Sequence, residues 1–317
     1  MANKFDLQIQ STASDGKHSP REILAMAKQE GLELIALTDH DTVGGVTQAL
    51  AAGEELGIHV IPGIEISVEE KGTHILGYGI DYQNGELLLR LEESRKGRIE
   101  GAKKMAENLK NIGFMVEWDD ILKEATGGVV ARPHIARAIL NRSENKEKLG
   151  AVFSVHDFIE TYLFNESPNY VHRTHISARD AIWLIHEAGG VAVWSHPAVH
   201  FKPRESRNES AQPTDYEALE NLLKDLISWG IDGVEVFNPS HTEDDTEFIQ
   251  SLSAKYGLLR TAGSDFHEKG VSARSPDGLH AAEHLGDYET YGFPTEDIPG
   301  KLAEVVGKRR QGTAKTA

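Results

Sequence analysis

Short apolar runs alternate with amphipathic stretches in the first third of the chain and again after residue 171. We expect about seven strands, at 5–9, 32–37, 59–61, 74–80, 191–194, 233–237 and 258–261, with a further apolar run at 64–68. Helices are predicted between them. Ser19, for example, is followed by Pro20 and then by Glu22, as in a capping box that begins a helix. Repeated strand–helix units predict parallel strands with right-handed crossovers. The pattern therefore indicates an α/β fold, a distorted seven-stranded (β/α) barrel.

The alternation of strand and helix patterns stops in the middle of the chain, where the pattern is mostly helical and rich in charged residues. We interpret 86–170 as a helical insertion domain within a discontinuous barrel formed by 1–85 and 171–273. The strand–helix pattern dissolves after that. We therefore expect 274–317 to be a partly disordered C-terminal extension that ends in a solvated basic tail at 308–310.

Composition narrows the chemistry of this chain of 317 residues. The net charge is −17, from 33 basic and 50 acidic residues, which argues against binding to duplex DNA because that binding relies on a basic surface. The absence of cysteine excludes disulfides, thiolate zinc sites and a cysteine nucleophile. No leader-like start and no membrane-length apolar run are present, so we expect a cytoplasmic protein without membrane association. The oligomeric state is not indicated.

Metal-competent side chains recur close to the predicted strands. They are Asp15, Asp39, His40, Asp41, Glu65, His74, His196, Asn238, His241, Asp265 and His267. In parallel barrels the C-terminal strand ends carry the active site. Singly, Asp39 and Asp41 could cap a helix and Asp265 could form a turn. As a set, imidazoles and carboxylates favour a site for divalent Mn, Zn, Fe or Mg.

These motifs resemble the PHP (polymerase and histidinol phosphatase) family over about residues 4 to 270. The resemblance rests on Ser14-Asp15-Gly16, Thr38-Asp39-His40-Asp41, Pro62-Gly63-Ile64-Glu65, His74-Ile75-Leu76-Gly77, Ser195-His196-Pro197 and Gly263-Ser264-Asp265-Phe266-His267. The most similar members are bacterial phosphoesterases with a helical insertion, including nucleoside 3′,5′-bisphosphate phosphatases and a 5′-to-3′ exoribonuclease. The resemblance implies a distorted seven-stranded barrel with two or three divalent metal ions.

The resemblance also implies how the ligands are divided. One ion would be held by Asp15, His40 and His267, and a second by Glu65, His74 and His196. A third would use Glu65, Asp265 and a pair of histidines from the first strand. Here that pair is Gln8 and Gln10, whose amides are weaker ligands for zinc than imidazole. The third site could be empty, could take a harder ion, or could mark a protein that binds without catalysis.

The reaction implied is hydrolysis of a nucleotide phosphomonoester or terminal phosphodiester by metal-activated water, with Glu65 as a bridging ligand. The substrate would be a nucleoside bisphosphate or a short RNA 5′ end. In the insertion, Arg132 could grip a phosphate and His134 could donate to it, although Arg132 could simply begin a helix before Pro133. His241 could assist the leaving group or hold substrate. The alternatives are a non-catalytic nucleotide- or phosphate-binding homologue and a barrel hydrolase of amide or ester bonds, which Arg132 disfavours.

Overall fold

The computed structural model describes residues 4–125, 130–150, 152, 154–164, 167–171, 176–202, 214–270 and 282–313. Its sheet has seven strands that follow one another in chain order: β1 (Phe5–Asp6), β2 (Leu34–Leu37), β3 (His59–Ser67), β4 (His74–Tyr78), β5 (Val191–Trp194), β6 (Gly233–Phe237) and β7 (Leu259–Ala262). After β1, Leu7 N–H donates to Ala262 O at 3.1 Å, and Ile9 bridges to Phe266. The sheet is thus a nearly closed barrel, as predicted.

Helices surround the barrel and fill the middle of the chain. Those of the described residues are α1 (Pro20–Glu30), α2 (Val46–Leu56), α3 (Gly85–Asn111), α4 (Trp118–Glu124), α5 (Arg132–Leu140), α6 (Lys146–Leu149), α7 (Val155–Tyr162), α8 (Ala178–Glu187), α9 (Tyr216–Ser228), α10 (Glu243–Tyr256) and α11 (Ile298–Thr313), with short 3₁₀ turns at Glu70–Gly72, Ser143–Asn145 and Pro197–Phe201. The capping box predicted at Ser19 and Glu22 begins α1.

The expectation that every strand is parallel is wrong at β4. This strand is antiparallel to both β3 and β5, whereas β1–β3 and β5–β7 are parallel among themselves. Ser67 at the end of β3 opposes His74 at the start of β4, so the chain turns back through a short connection that needs no crossover helix. The runs at 59–61 and 64–68, read separately from the sequence, belong to the single long strand β3.

The helix α3 joins two hydrophobic cores. Leu87 and Leu91, near its start, pack in the barrel core. Met105 and Leu109, near its end, pack in a second core, whose buried members among the described residues all lie between 102 and 163 in the middle segment of the chain. That second core includes the edge-to-face pair of Phe114 and Phe158, whose ring centroids lie 5.4 Å apart. A helix shared by the two cores fixes how the middle segment is attached to the barrel.

The C-terminal extension is not a solvated tail in its described part. Residues 298–313 form α11, with Ile298 and Leu302 buried in the barrel core. Arg309 pairs with Asp232, and Arg310 donates to Gly79 O at 2.8 Å. The expectation for 308–310 was wrong because these two guanidinium groups find carboxylate and carbonyl partners on the barrel. None of the described helices is long and apolar enough to cross a membrane.

Candidate metal centre

Glu65 lies at the centre of a buried cluster inside the barrel. Its Oε1 is 2.9 Å from His74 Nδ1 and 3.1 Å from His196 Nε2, and these two nitrogens are 3.3 Å apart. Glu65 and His196 have no exposed surface and His74 has little. Burial raises the pKa of Glu65, but attraction to His40 and the hydrogen bonds from His196 and His74 outweigh burial and hold the pKa well below its usual value. Glu65 is therefore an ionised carboxylate among imidazoles.

A second group lies closer to the barrel opening. Asp15, His40 and His267 bring ligand atoms within 4.8 Å of one another, and so do His40, Glu65 and His74. His40 belongs to both groups and connects them. Asp15 Oδ1 and His40 Nδ1 are buried and have no hydrogen-bond partner among the described residues. Because buried polar atoms are normally paired, these two atoms, with mixed carboxylate and imidazole neighbours, fit ligands for divalent metal ions.

Backbone contacts leave the histidines of this second group suited to ligation. His267 Nδ1–H donates to Asp265 O at 2.7 Å, which turns Nε2 toward Asp15, 3.6 Å from its Oδ1. Burial lowers the pKa of His40 to about 4, which leaves its ring neutral near pH 7. Burial raises the pKa of Asp15, but attraction to the His40 and His267 rings in their protonated forms outweighs it and holds the pKa below its usual value.

The antiparallel strand explains why His74 belongs to this site. His74 begins its strand, whereas Asp15, His40, His196 and His267 follow theirs. In an all-parallel barrel a residue at the start of a strand would lie at the opposite end. Because β4 runs in the reverse direction, its first residue reaches the end of the barrel at which the parallel strands terminate.

Asp39 and Asp41 organise the loops that carry the ligands. Asp39 accepts hydrogen bonds from Ser11 N–H at 2.7 Å and Ser14 Oγ at 2.6 Å, which fixes the loop leading to Asp15. Asp41 accepts from Ser67 N–H at 2.9 Å and pairs with Arg98 of α3. Neither aspartate caps a helix, since Gly45 precedes α2 without a side-chain cap.

Three loop residues of the site adopt the left-handed backbone conformation. The φ angle is 50° at Asp41, 29° at His196 and 51° at Asp265. This region costs a non-glycine residue free energy, and such residues tend to cluster at functional sites. Asp265 is buried, with Oδ1 4.0 Å from His267 Nδ1. The backbone is thus bent in these loops next to the proposed ligands.

The two glutamines of the first strand region reach the same carboxylate. Gln8 Nε2 lies 3.2 Å and Gln10 Nε2 lies 2.7 Å from Glu65 Oε2. Both glutamines are fully buried. They therefore share one face of the chain, as residues at i and i+2 do, and they present N–H donors rather than ligand atoms to Glu65.

The insertion contributes Arg132 and His134 at the start of α5. His134 Nδ1 accepts from Ala131 N–H at 3.0 Å, and burial lowers the pKa of His134 to about 4. His134 is also close enough to Asp15 to influence its pKa. Arg132 donates to Leu163 O at 3.4 Å and stacks 5.5 Å above the ring of Tyr170. Arg132 does begin the helix, and this position leaves its guanidinium group beside an aromatic ring.

His241, after β6, is buried at the end of a fixed hydrogen bond. Its Nδ1–H donates to Val236 O at 2.9 Å, while Nε2 is buried without a hydrogen-bond partner among the described residues. Burial lowers its pKa to about 4. The neutral ring therefore presents a lone pair at Nε2.

The sequence interpretation missed Glu235 in this region and gave His200, near a proposed site loop, no role. Glu235 of β6 accepts from His196 N–H at 2.9 Å, and burial raises its pKa well above the usual value. Its position between Val234 and Val236 was the available signal, because a lone carboxylate in a buried strand needs an internal partner. His200 places its ring centroid 5.5 Å from that of His196 and 6.1 Å from that of His74. Its place just after the loop that carries His196 was the available signal.

Comparison with known proteins agrees with this arrangement. The PHP domain model matches residues 6–187. A 3′,5′-nucleoside bisphosphate phosphatase of Chromobacterium violaceum is 33% identical over 277 residues, covering 86% of this chain and 90% of the relative. A 5′-3′ exoribonuclease of Haemophilus influenzae is 30% identical over 269 residues, covering 84% and 91%.

A solved structure from Bifidobacterium adolescentis, described as a metal-dependent phosphoesterase, superposes with a TM-score of 0.75 at 27% identity. The match covers 95% of this chain and 96% of that one. The family resemblance read from the strand-end motifs is confirmed: the chain belongs to the PHP domain family of metal-dependent phosphoesterases.

Proposed function

We propose that this protein hydrolyses a phosphomonoester or a terminal phosphodiester of a nucleotide, with a nucleoside bisphosphate or a short RNA 5′ end as substrate. The observation that carries the proposal is the pair of connected groups at the barrel end, which share His40. Asp15 Oδ1 and His40 Nδ1 are buried there without hydrogen-bond partners among the described residues. Such atoms suit ligands of divalent metal ions better than a structural role.

Six side chains would hold two divalent ions, of Mn, Zn, Fe or Mg. Asp15, His40 and His267 would hold one, and Glu65, His74 and His196 the other. Divalent ions in such a site lower the pKa of a bound water and stabilise the attacking and leaving oxygens of phosphoryl transfer. The protein contributes neutral imidazole at His40, because burial lowers the pKa of that ring to about 4. It contributes ionised carboxylate at Glu65, whose pKa stays well below its usual value.

Arg132, His134 and His241 would contact the substrate. The Nδ1 atom of His134 accepts a backbone hydrogen bond, so the neutral ring carries its proton on Nε2 and can donate to a phosphoryl oxygen. Arg132 supplies a permanent positive charge that Tyr170 helps to orient. His241 presents a lone pair at Nε2, which suits it to hold a substrate hydroxyl better than to protonate a leaving group.

The relatives support the class of substrate. The Chromobacterium relative is named as a phosphatase of nucleoside bisphosphates and the Haemophilus relative as an exoribonuclease of 5′-3′ direction. Both kinds of substrate are phosphate esters of nucleotides. A net charge of −17 favours a small substrate or a short RNA end over a long duplex.

The test is phosphate release from adenosine 3′,5′-bisphosphate and nucleotide release from a short 5′-phosphorylated oligoribonucleotide, each with added Mn²⁺. We expect turnover of at least one of them, lost on chelation. Exchange of the exposed His59 at the far end of β3 for Ala is the matched control and should leave turnover unchanged. If the metal-loaded protein binds these nucleotides but hydrolyses neither, the phosphate-binding alternative replaces the proposal.

The contribution of Arg132 can be measured separately. We expect Arg132→Ala to lower kcat/KM by about 10- to 100-fold, because a charge-assisted contact to the phosphoryl group is lost. Arg132→Lys should recover part of that loss, since it keeps the charge but not the planar fork. Unchanged kcat/KM in Arg132→Ala would reduce Arg132 to a helix-starting residue.

A further inference from the structure

We propose that Gln8 and Gln10 form an amide clamp that holds Glu65 in place of a third cation, so that the centre binds two ions and not three. The inference rests on the two-ion centre proposed above. It concerns the part of that centre where the chain carries amides instead of the family's imidazoles. Its basis is the set of hydrogen bonds made by these two side chains.

The two oxygens of Glu65 have different surroundings. Oε1 faces His74 at 2.9 Å and His196 at 3.1 Å, which are proposed ligands of one ion. Oε2 accepts from Gln10 Nε2 at 2.7 Å and from Gln8 Nε2 at 3.2 Å. Two N–H groups already bond to Oε2. We therefore expect that the lone pairs of this oxygen do not bind a further cation.

A second contact fixes the orientation of the Gln8 amide. Gln8 Oε1 accepts from Asn238 Nδ2 at 3.1 Å, and Gln8 Nε2 also donates to Ser195 Oγ at 3.0 Å. Gln10 Oε1 lies 3.4 Å from Ser14 Oγ, but the single proton of that hydroxyl is donated to Asp39 Oδ1 at 2.6 Å. The oxygen of Gln8 therefore has its own donor, and in both glutamines the nitrogen is the atom turned toward Glu65. The amide oxygens are the only atoms of these side chains that can bind a hard cation, and neither of them is the atom presented to Glu65 Oε2.

This network continues into the rest of the site. Asn238 Nδ2 also donates to Glu235 Oε2 at 3.0 Å, and the same oxygen accepts from His196 N–H at 2.9 Å. All of these side chains are buried. A half-satisfied buried polar network is costly. The pairing of both ends of the Gln8 amide, together with the donation of both amides to Glu65 Oε2, therefore indicates a built arrangement, not the remnant of a metal site.

The clamp also has an electrostatic role. A buried carboxylate stays ionised when hydrogen bonds or positive charges stabilise its charged form. Two neutral N–H donors stabilise Glu65 without adding positive charge to the site. The clamp is therefore expected to position Glu65 even before metal binds, which makes Gln8 and Gln10 positioning residues.

The first experiment counts metal ions. Wild type, Gln8→His/Gln10→His and the control Gln29→Met, an exposed position on α1, are reconstituted with Mn²⁺, dialysed and analysed by inductively coupled plasma mass spectrometry. We expect two ions per chain in wild type and control, and three in the double-histidine variant. Three ions in wild type, or no third ion in the folded double variant, would contradict the clamp.

The second experiment keeps the proposal testable if the double variant does not fold. Gln10→Met retains the length of the side chain but loses its donor and adds no good ligand for Mn²⁺. We expect the Tm of the metal-free protein to fall by about 4 °C, and clearly less in the Mn²⁺-loaded protein, where bound cations compensate Glu65. A role in packing alone would lower both values equally, and that result would overturn the clamp.

Both readouts are independent of turnover. A wild-type protein that binds two ions, loses metal-free stability in Gln10→Met and hydrolyses no nucleotide would disprove the proposed function but support the clamp. A wild-type protein that hydrolyses nucleotide with three bound ions would support the function and disprove the clamp.

Discussion

Histidine and carboxylate side chains lie at both ends of the barrel, but their hydrogen bonding differs between the two ends. At the end where β5 and β6 begin, Asp232 Oδ2 accepts from His186 Nε2 at 2.9 Å and from Ala192 N–H at 2.8 Å, while Oδ1 pairs with Arg309 of α11. At the other end, Asp15 Oδ1 and His40 Nδ1 are buried without hydrogen-bond partners among the described residues.

This difference distinguishes a group that stabilises the fold from a group suited to bind metal ions. Every carboxylate oxygen of Asp232 is used within the chain, so the His186–Asp232–Arg309 group holds α8, β6 and α11 together. Atoms left unsatisfied in a buried site cost stability and need another explanation. The strained backbone at Asp41, His196 and Asp265 lies at this same end. The ligand-like end is therefore the end that the fold leaves incomplete.

The largest expected effect comes from exchanging matched histidines at the two ends. His40→Ala should lower kcat on the hydrolysed nucleotide by on the order of a thousandfold, because His40 is shared by both proposed ion sites. His186→Ala should leave kcat per folded molecule unchanged. Steady-state kinetics with metal counting on both variants makes the comparison. Equal losses at the two ends would show that the contrast in hydrogen bonding has no functional meaning.

The next largest effect is expected at the other end of the barrel, where a substitution should lower stability and leave turnover unchanged. Asp232→Ala removes the acceptor of His186, Ala192 N–H and Arg309 together, and leaves a half-buried guanidinium without its carboxylate. We expect unfolding to become easier by about 3 kcal/mol, measured by urea denaturation, with turnover per folded molecule retained. A variant of unchanged stability but reduced turnover would instead connect this end of the barrel to the active site.

Most of the ligand-like end could be predicted because its signals are local. The strand-end motifs placed Asp15, His40, Glu65, His196 and His267 in order along the chain, and the structure brings them together. In a barrel, strand ends converge whatever the details of the helices. The capping box at the start of α1 was equally readable, since it depends on residues within one turn.

The remaining features depend on tertiary partners that no local pattern encodes. The direction of β4 was missed because a strand buried on both faces has the same apolar composition whether it is parallel or antiparallel. The helix α11 was missed because Pro299, Gly300 and Gly307 weaken its propensity, and packing on the barrel compensates. The orientation of the Gln8 amide is decided by Asn238, which is far away in sequence.

The smallest expected effect concerns acid and the buried His241. Burial lowers the pKa of His241 from 6.5 to about 4 in the folded protein. The unfolded chain therefore binds more protons than the native state between these values, and stability contributed by the neutral ring is lost as the pH falls from 6.5 toward 4.

In His241→Gln the amide can still donate to Val236 O, but this proton uptake disappears. We expect the slope of unfolding free energy against pH near pH 5 to become shallower by about 1 kcal/mol per pH unit in chelator-treated protein. Denaturation curves at closely spaced pH values would show it. An unaltered slope would mean that His241 is already protonated near pH 5 in the folded state, and that water reaches this ring more than its contacts indicate.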